Sequence, residues 1–368
     1  MSSPTPFSSL DLQAALLSNL ADIGYAEMTL VQAETLPHLL GGADVLARAK
    51  TGSGKTAAFG LGLLHRLDAS RFRSQALVLC PTRELADQVS KEIRRLARTI
   101  GNVKILTLCG GVPLGPQLAS LQHSPHVIVG TPGRVLKHLR QGTVALGELK
   151  TLVFDEADRM LDMGFADELN AILEFLPRDR QTLLFSATYP DSIAAISKRV
   201  QRDPVIVDVT DDEQPAHIEQ RWCSVTRENR NPELVRALRA WGGALNLVFC
   251  NTKVDCADVA DYLNSEKVVA VALHGDLDQG ERNEVLVRFA NRSAVVLVAT
   301  DVAARGLDVK DLDAVFNYEL PRQAEVYIHR IGRTGRAGKQ GVAVSLVEPR
   351  EEWRWQGIEA LLPVACVQ

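Results

Sequence analysis

Short runs rich in valine, isoleucine and leucine recur along the chain, separated by stretches with apolar residues at helical spacing. In the first half the runs at 44–49, 76–81, 104–109, 127–131, 151–155, 182–186 and 205–209 read as strands. Between two of them, residues 83–98 place Ala86, Val89, Ile93 and Leu96 on one helical face. The strand runs are continuously apolar rather than alternating. Strands of that kind are covered on both faces and belong to parallel sheets. The alternation stops at 208–214, a polar stretch rich in Asp, Glu and Gln that is followed by Pro215. It resumes with runs at 246–250, 268–273, 294–299, 314–318 and 342–347, with helical patterns at 255–263 and 281–289. The expected fold is α/β in two domains, residues 1–208 and 218–368, joined by a linker at 209–217. Each domain is expected to be a mostly parallel sheet with helices on both faces, and 368 residues suffice for two such domains.

Composition agrees with this reading. Apolar residues make up 46% and charged residues 23% of the chain, the balance of a soluble globular protein. No apolar run approaches the roughly 18 residues that span a bilayer, so no membrane association is expected. Residues 1–6 have neither a basic nor an apolar region, so no secretory signal is expected and the location is cytoplasmic. Of the 6 cysteines, Cys80, Cys109 and Cys250 lie in apolar runs, where the thiol acts as a small hydrophobe. Cys250 with Cys256, and His123 with His126, lack the second ligand pair of a zinc site, so no metal cluster is expected. The formal charge is −4, which neither announces nor excludes nucleic acid, because binding needs only a local basic surface. The motifs must decide.

Ala49, Lys50, Thr51, Gly52, Ser53, Gly54, Lys55 and Thr56 follow a strand and open a helix expected over 56–67. That is the setting of a phosphate-binding loop, with Ala49 where the general motif has glycine. Gly52 and Gly54 let backbone N–H groups approach a polyphosphate at a helix N-terminus. Lys55 would reach the β- and γ-phosphates of ATP, and the Thr56 hydroxyl would ligate Mg²⁺. A second strand, 151–155, ends in Asp155, Glu156 and Asp158. Asp155 is placed to hold Mg²⁺ and Glu156 to orient and deprotonate water. The two elements together specify hydrolysis of a nucleoside triphosphate.

Asp155, Glu156, Ala157 and Asp158 spell the name of the DEAD-box RNA helicases, and the chain resembles that family from about residue 7 to 348. Gly24, Tyr25, Met28, Thr29 and Gln32, with Phe7 upstream, resemble the Q motif, Met28 standing where proline is usual. Pro81, Thr82, Arg83, Gly110, Gly111, Thr131, Pro132 and Arg134 are similar to the family's RNA-contacting motifs. Ser186 and Thr188 resemble the coupling motif that works with Asp158. In the second domain, residues 248–252, Gln279 with Arg282, Thr300 with Asp301, Asp308, Arg333 and Arg336 match the remaining motifs.

The resemblance implies two tandem RecA-like domains sharing one ATP site, with ATP and Mg²⁺ as cofactors. Tyr25 would stack on adenine, Gln32 would read its edge, and residues 49–56 would hold the phosphates. Asp308 would bind the ribose, and Arg333 and Arg336 would act as arginine fingers beside catalytic Lys55 and Glu156. Pro81, Thr82, Arg83, Gly110, Gly111, Thr131, Pro132, Arg134, Gln279, Arg282, Thr300 and Asp301 would contact RNA, chiefly its backbone. Taken alone, Thr82 and Thr131 serve equally as helix caps. The implied activity is RNA-dependent ATP hydrolysis with local unwinding of short duplexes by a monomer. An ATP-gated RNA clamp and a DNA translocase share parts of this pattern; intact Glu156, Arg333 and Arg336 favour turnover. Residues 49–64, 75–81 and 106–111 look most like the bacterial DbpA-type branch, which implies ribosomal RNA and large-subunit assembly. An RNA-recognition domain is expected after the core in that branch. Only one helix, 351–362, is expected beyond the final strand here, so that module either lies outside this chain or is absent.

Overall fold

A computed structural model of the chain describes residues 5–49, 52–209, 218–304, 312–335, 340–360 and 362. The chain divides into two compact units, Met1–Gln214 and Pro215–Gln368. The linker expected at 209–217 lies, apart from Val209, outside the described residues.

In the first unit the strands are β1 (Val45–Arg48), β2 (Ala76–Leu79), β3 (Ile105–Leu108), β4 (Val127–Gly130), β5 (Thr151–Asp155), β6 (Gln181–Ser186) and β7 (Val205–Asp208). They form one sheet in the order β3-β4-β2-β5-β6-β1-β7, every pair parallel. Successive residues of a strand point to opposite faces. Val45 and Ala47 therefore enter a core with Phe59, Leu61 and Phe185, whereas Leu46 joins Leu77, Phe154 and Leu184 on the other side. Both cores are sealed by helices, which explains the unbroken apolar runs. Because all strands run the same way, their carboxyl ends share one edge, where ligands of open α/β sheets bind.

The second unit repeats the plan with β8 (Ile218–Ser224), β9 (Asn246–Cys250), β10 (Ala270–Leu273), β11 (Val296–Thr300), β12 (Ala314–Asn317) and β13 (Gly341–Val347). Their order is β10-β11-β9-β12-β13-β8, again all parallel. Strand β8 was absent from the sequence expectation. It lies at the sheet edge against β13 and carries Glu219, Gln220 and Arg221, so it shows no apolar run. The final helix is Glu352–Glu359, shorter than the 351–362 expected; Trp355 and Ile358 pack beside Tyr327 and Leu320.

Candidate active site and nucleic-acid interface

The phosphate loop leaves β1 and closes into the helix Lys55–His65, one residue earlier than the sequence suggested. Gly52 and Gly54 have φ of 91° and 99°, a region that disfavours any side chain. A Cβ on Gly54 would also strike the side chains of Gln32 and Thr29. Lys55 is buried, and its Nζ donates to the Ala49 carbonyl at 2.7 Å. Lys50 and Thr51 lie outside the described residues.

Facing this loop, β5 delivers Asp155 and Glu156, both buried. Burial pushes the Asp155 carboxyl up to about 7; Lys55 opposes the shift and Glu156 adds to it. Glu156 adopts φ 57° and ψ 54°, a left-handed conformation that costs a non-glycine residue roughly 1–2 kcal/mol. Strain of that kind gathers where a side chain must be aimed. The Glu156 carboxylate is ion-paired with Arg159 one helical turn on. Asp158 Oδ2 accepts hydrogen bonds from the Thr188 N–H (3.0 Å) and hydroxyl (2.8 Å), joining the acidic cluster to the segment after β6. Ser186 ends that strand, buried, with its hydroxyl unpartnered among the described residues. Two adjacent buried carboxylates beside a lysine and a helix hydroxyl fit a divalent ion. Among the described residues no group of three or more His, Cys, Asp or Glu converges as a metal site.

Beside the loop lies an open pocket of about 430 Å³ lined by Ile23, Gly24, Tyr25, Thr29, Gln32 and Arg95, among others. Gln32 bridges this pocket and the phosphate loop. Its Oε1 accepts from the Thr29 N–H (2.9 Å), and its Nε2 donates to the Gly54 carbonyl (3.1 Å). Tyr25 meets the edge of Phe7 at 6.0 Å and donates to Glu92 at 2.8 Å. Burial, then Glu92, pushes its hydroxyl up to about 12. Arg95 lies over the Tyr25 ring and donates to the Ile23 carbonyl at 2.9 Å. Glu92 and Arg95 went unnoticed in the sequence, because nothing local to the helix Arg83–Leu96 marks its last turns as a pocket wall.

At the same edge of the sheet, Thr82 caps Arg83–Leu96 by accepting from the Leu85 N–H at 3.3 Å. Thr131 stands at the start of the helix Pro132–Arg140 without a side-chain capping bond, and Pro132 takes its first position. Pro81 sits just ahead of Thr82 in that turn. Arg83 Nη1 is buried with no hydrogen-bond partner among the described residues, and a Cβ on Gly111 (φ 70°) would run into this guanidinium. A buried guanidinium nitrogen left without an acceptor suits an incoming phosphate oxygen. Arg134, by contrast, uses both terminal nitrogens internally, on Gln117 (2.8 Å) and on the Val112 carbonyl (2.9 Å). The structure thus brings Thr82, Arg83, Gly110, Gly111, Thr131 and Arg134 together, with Arg134 acting as a tie between loops.

In the second unit Gln279 and Arg282 follow β10, and Thr300 and Asp301 stand at the carboxyl end of β11. Gln279 and Arg282 lie in the first turn of the helix Gln279–Ala290, and Arg282 donates to the Ala303 carbonyl at 2.7 Å. The Thr300 hydroxyl accepts from the Ala303 N–H at 3.3 Å. Both oxygens of Asp301 are taken by Arg330, at 2.7 Å each, so its carboxylate is engaged inside the protein. Arg333 is buried just after the helix Ala324–Ile331, which carries Arg330. Asp308 and Arg336 lie outside the described residues.

A phosphate loop, paired strand-end carboxylates and two parallel α/β units define an NTP-hydrolysing motor of the helicase class. Residues 29–196 match the family described as DEAD/DEAH box helicase, and 231–338 match the helicase conserved C-terminal domain. The chain belongs to the DEAD-box ATP-dependent RNA helicases, which are ATP hydrolases. It is 57% identical over 361 residues to the ATP-dependent RNA helicase DbpA of Escherichia coli, covering 98% of this chain and 79% of that protein. It is 44% identical to the DEAD-box helicase CshA of Bacillus cereus, covering 96% of this chain and 68% of that one. Among solved structures it resembles S. cerevisiae Dbp5 bound to RNA and ADP BeF3, with a TM-score of 0.88, 31% identity and 99% and 95% coverage. A DEAD box protein from Methanococcus jannaschii matches with a TM-score of 0.57, 38% identity and 98% coverage of both chains. Among the described residues no helix is long and apolar enough to cross a membrane.

Proposed function

We propose that residues 49–56 cradle the β- and γ-phosphates of ATP, that Lys55 neutralises them, and that Thr56 and Asp155 hold Mg²⁺. Magnesium, when bound, neutralises charge on the phosphate oxygens. Glu156, aimed by its left-handed backbone, orients the attacking water and takes its proton. Tyr25 and Gln32 seat the adenine, with Asp308 on the ribose. Arg333 and Arg336 supply positive charge to the transition state, a contribution of about 10³–10⁵ in rate. The observation that carries this reading is the joint burial of Lys55, Asp155 and Glu156 at the carboxyl ends of β1 and β5.

Arg333 belongs to the second unit, so hydrolysis on this reading requires both units to close on ATP and single-stranded RNA. Each ligand then raises affinity for the other. The expected RNA surface comprises Pro81, Thr82, Arg83, Gly110, Gly111, Thr131, Pro132, Arg134, Gln279, Arg282, Thr300 and Asp301. Asp158, with Thr188 and Ser186, transmits closure to the RNA side. The result is local unwinding of short duplexes by a cytoplasmic monomer. The similarity to a DbpA helicase and the likeness of residues 49–64 to that branch support ribosomal RNA and large-subunit assembly as the cellular role. Steady-state ATP hydrolysis, measured alone, with unstructured RNA and with DNA of the same sequence, tests this. Stimulation by RNA only is expected; equal stimulation by DNA, or none by either, overturns it.

A further inference from the structure

The helix Leu114–Leu121 has one buried residue, and it is a glutamine rather than a hydrophobe. Gln117 Nε2 donates to the Cys109 carbonyl at 3.0 Å, just before Gly110 and Gly111. Its Oε1 accepts from Arg134 Nη1 at 2.8 Å and from His138 Nε2 at 2.9 Å, both on the helix Pro132–Arg140. Arg134 Nη2 closes the ring by donating to the Val112 carbonyl at 2.9 Å. One amide side chain therefore fixes both flanks of the glycine loop and the first turns of the next helix. Gly111, at φ 70°, lies against Arg83, whose buried Nη1 has no acceptor among the described residues.

We propose that Gln117 is a positioning residue for RNA: through Arg134 it holds the Gly110–Gly111 loop and the Pro132–Arg140 N-terminus as one preformed phosphate-binding surface. This rests on the reading that Arg83 and the loop contact RNA. A loop held this way loses little conformational entropy when the strand docks. Without the amide, Arg134 and His138 lose a shared buried acceptor and the glycines regain their freedom. RNA binding weakens and the ATP pocket, which shares none of these bonds, is untouched.

The test is the RNA concentration for half-maximal ATPase activation, with the ATP KM measured alongside. Gln117→Leu is expected to raise the RNA requirement about tenfold, the equivalent of one lost buried hydrogen bond, with the ATP KM unchanged. The Gln117→Leu, Arg134→Ala double variant is expected to be no worse than Arg134→Ala, because the two act in series. Gln117→Glu keeps the acceptor for Arg134 and His138 but loses the donor to the Cys109 carbonyl, so it should restore part of the RNA affinity. If the Leu variant does not fold, Gln117→Asn, whose shorter arm loses Arg134, takes its place. Additive effects in the double variant, a parallel rise in ATP KM, or a Glu variant as poor as the Leu variant each overturn the proposal. Arg83→Ala separates the two levels. If it leaves the RNA requirement unchanged, the RNA surface itself is misassigned; if it weakens RNA while Gln117→Leu does not, only the role of Gln117 fails.

Discussion

Replacing Arg330 with alanine should destabilise the second unit more than a surface change of the same kind. Its side chain is 1% exposed. It donates five hydrogen bonds: two to Asp301 at 2.7 Å, and one each to Asn317 Oδ1 (3.2 Å), the Glu319 carbonyl (2.6 Å) and Asn251 Oδ1 (3.0 Å). The guanidinium also lies 4.9 Å from the centre of the Phe249 ring. Removing one partner of a buried ion pair costs about 3–5 kcal/mol, because the other charge stays behind. Asp301 is 26% exposed and regains some hydration, so the low end applies. About 3 kcal/mol corresponds to a fall in Tm of roughly 6–12 °C for a unit of this size. Scanning calorimetry of the whole chain reads it as a shift of the second unit's transition. Arg330→Lys, which keeps the charge but not the planar fork, should fall between wild type and alanine. A shift of less than about 2 °C in Arg330→Ala would show that these bonds add little, and that Asp301 is not held by them.

Two further outcomes follow from the first unit. Arg95→Ala unseats the Tyr25 ring and frees the Ile23 carbonyl, so the ATP KM should rise several-fold with kcat at saturating ATP unchanged; an unaltered KM would remove Arg95 from the adenine wall. Burial, reinforced by Arg134 and Lys137, lowers the His138 pKa below its ordinary 6.5. The unfolded chain then binds the proton more readily, so stability falls as pH drops through about 6.5. Urea midpoints at pH 7.5 and 5.5 should differ less in His138→Gln than in wild type, and equal differences would refute the assignment.

Much of this was legible along the chain. Strands buried on both faces announce themselves as apolar runs, and the phosphate loop and acidic strand end are contiguous, so their chemistry can be read without tertiary information. The edge strand β8 was hidden because its exposed side is polar. Arg95 and Gln117 were hidden for another reason: each acts across a sequence gap that only the strand order closes. Arg95 reaches back to Ile23 and Tyr25, and Gln117 forward to Arg134 and His138. Motif position marked Asp301 and Arg134 as RNA contacts, but it did not show their internal partners: Arg330 for Asp301, and Gln117 and the Val112 carbonyl for Arg134.

The claim on which the account turns is that Glu156 works on the water while Lys55 and Asp155 manage the phosphates. Purified Glu156→Gln, assayed for RNA-stimulated ATP hydrolysis and for RNA binding with and without ATP, tests it most directly. Turnover should vanish while ATP-dependent RNA binding is kept or tightened, because the amide preserves shape but cannot take a proton. Substantial hydrolysis by this variant, or loss of ATP-dependent RNA binding together with turnover, would contradict the assignment.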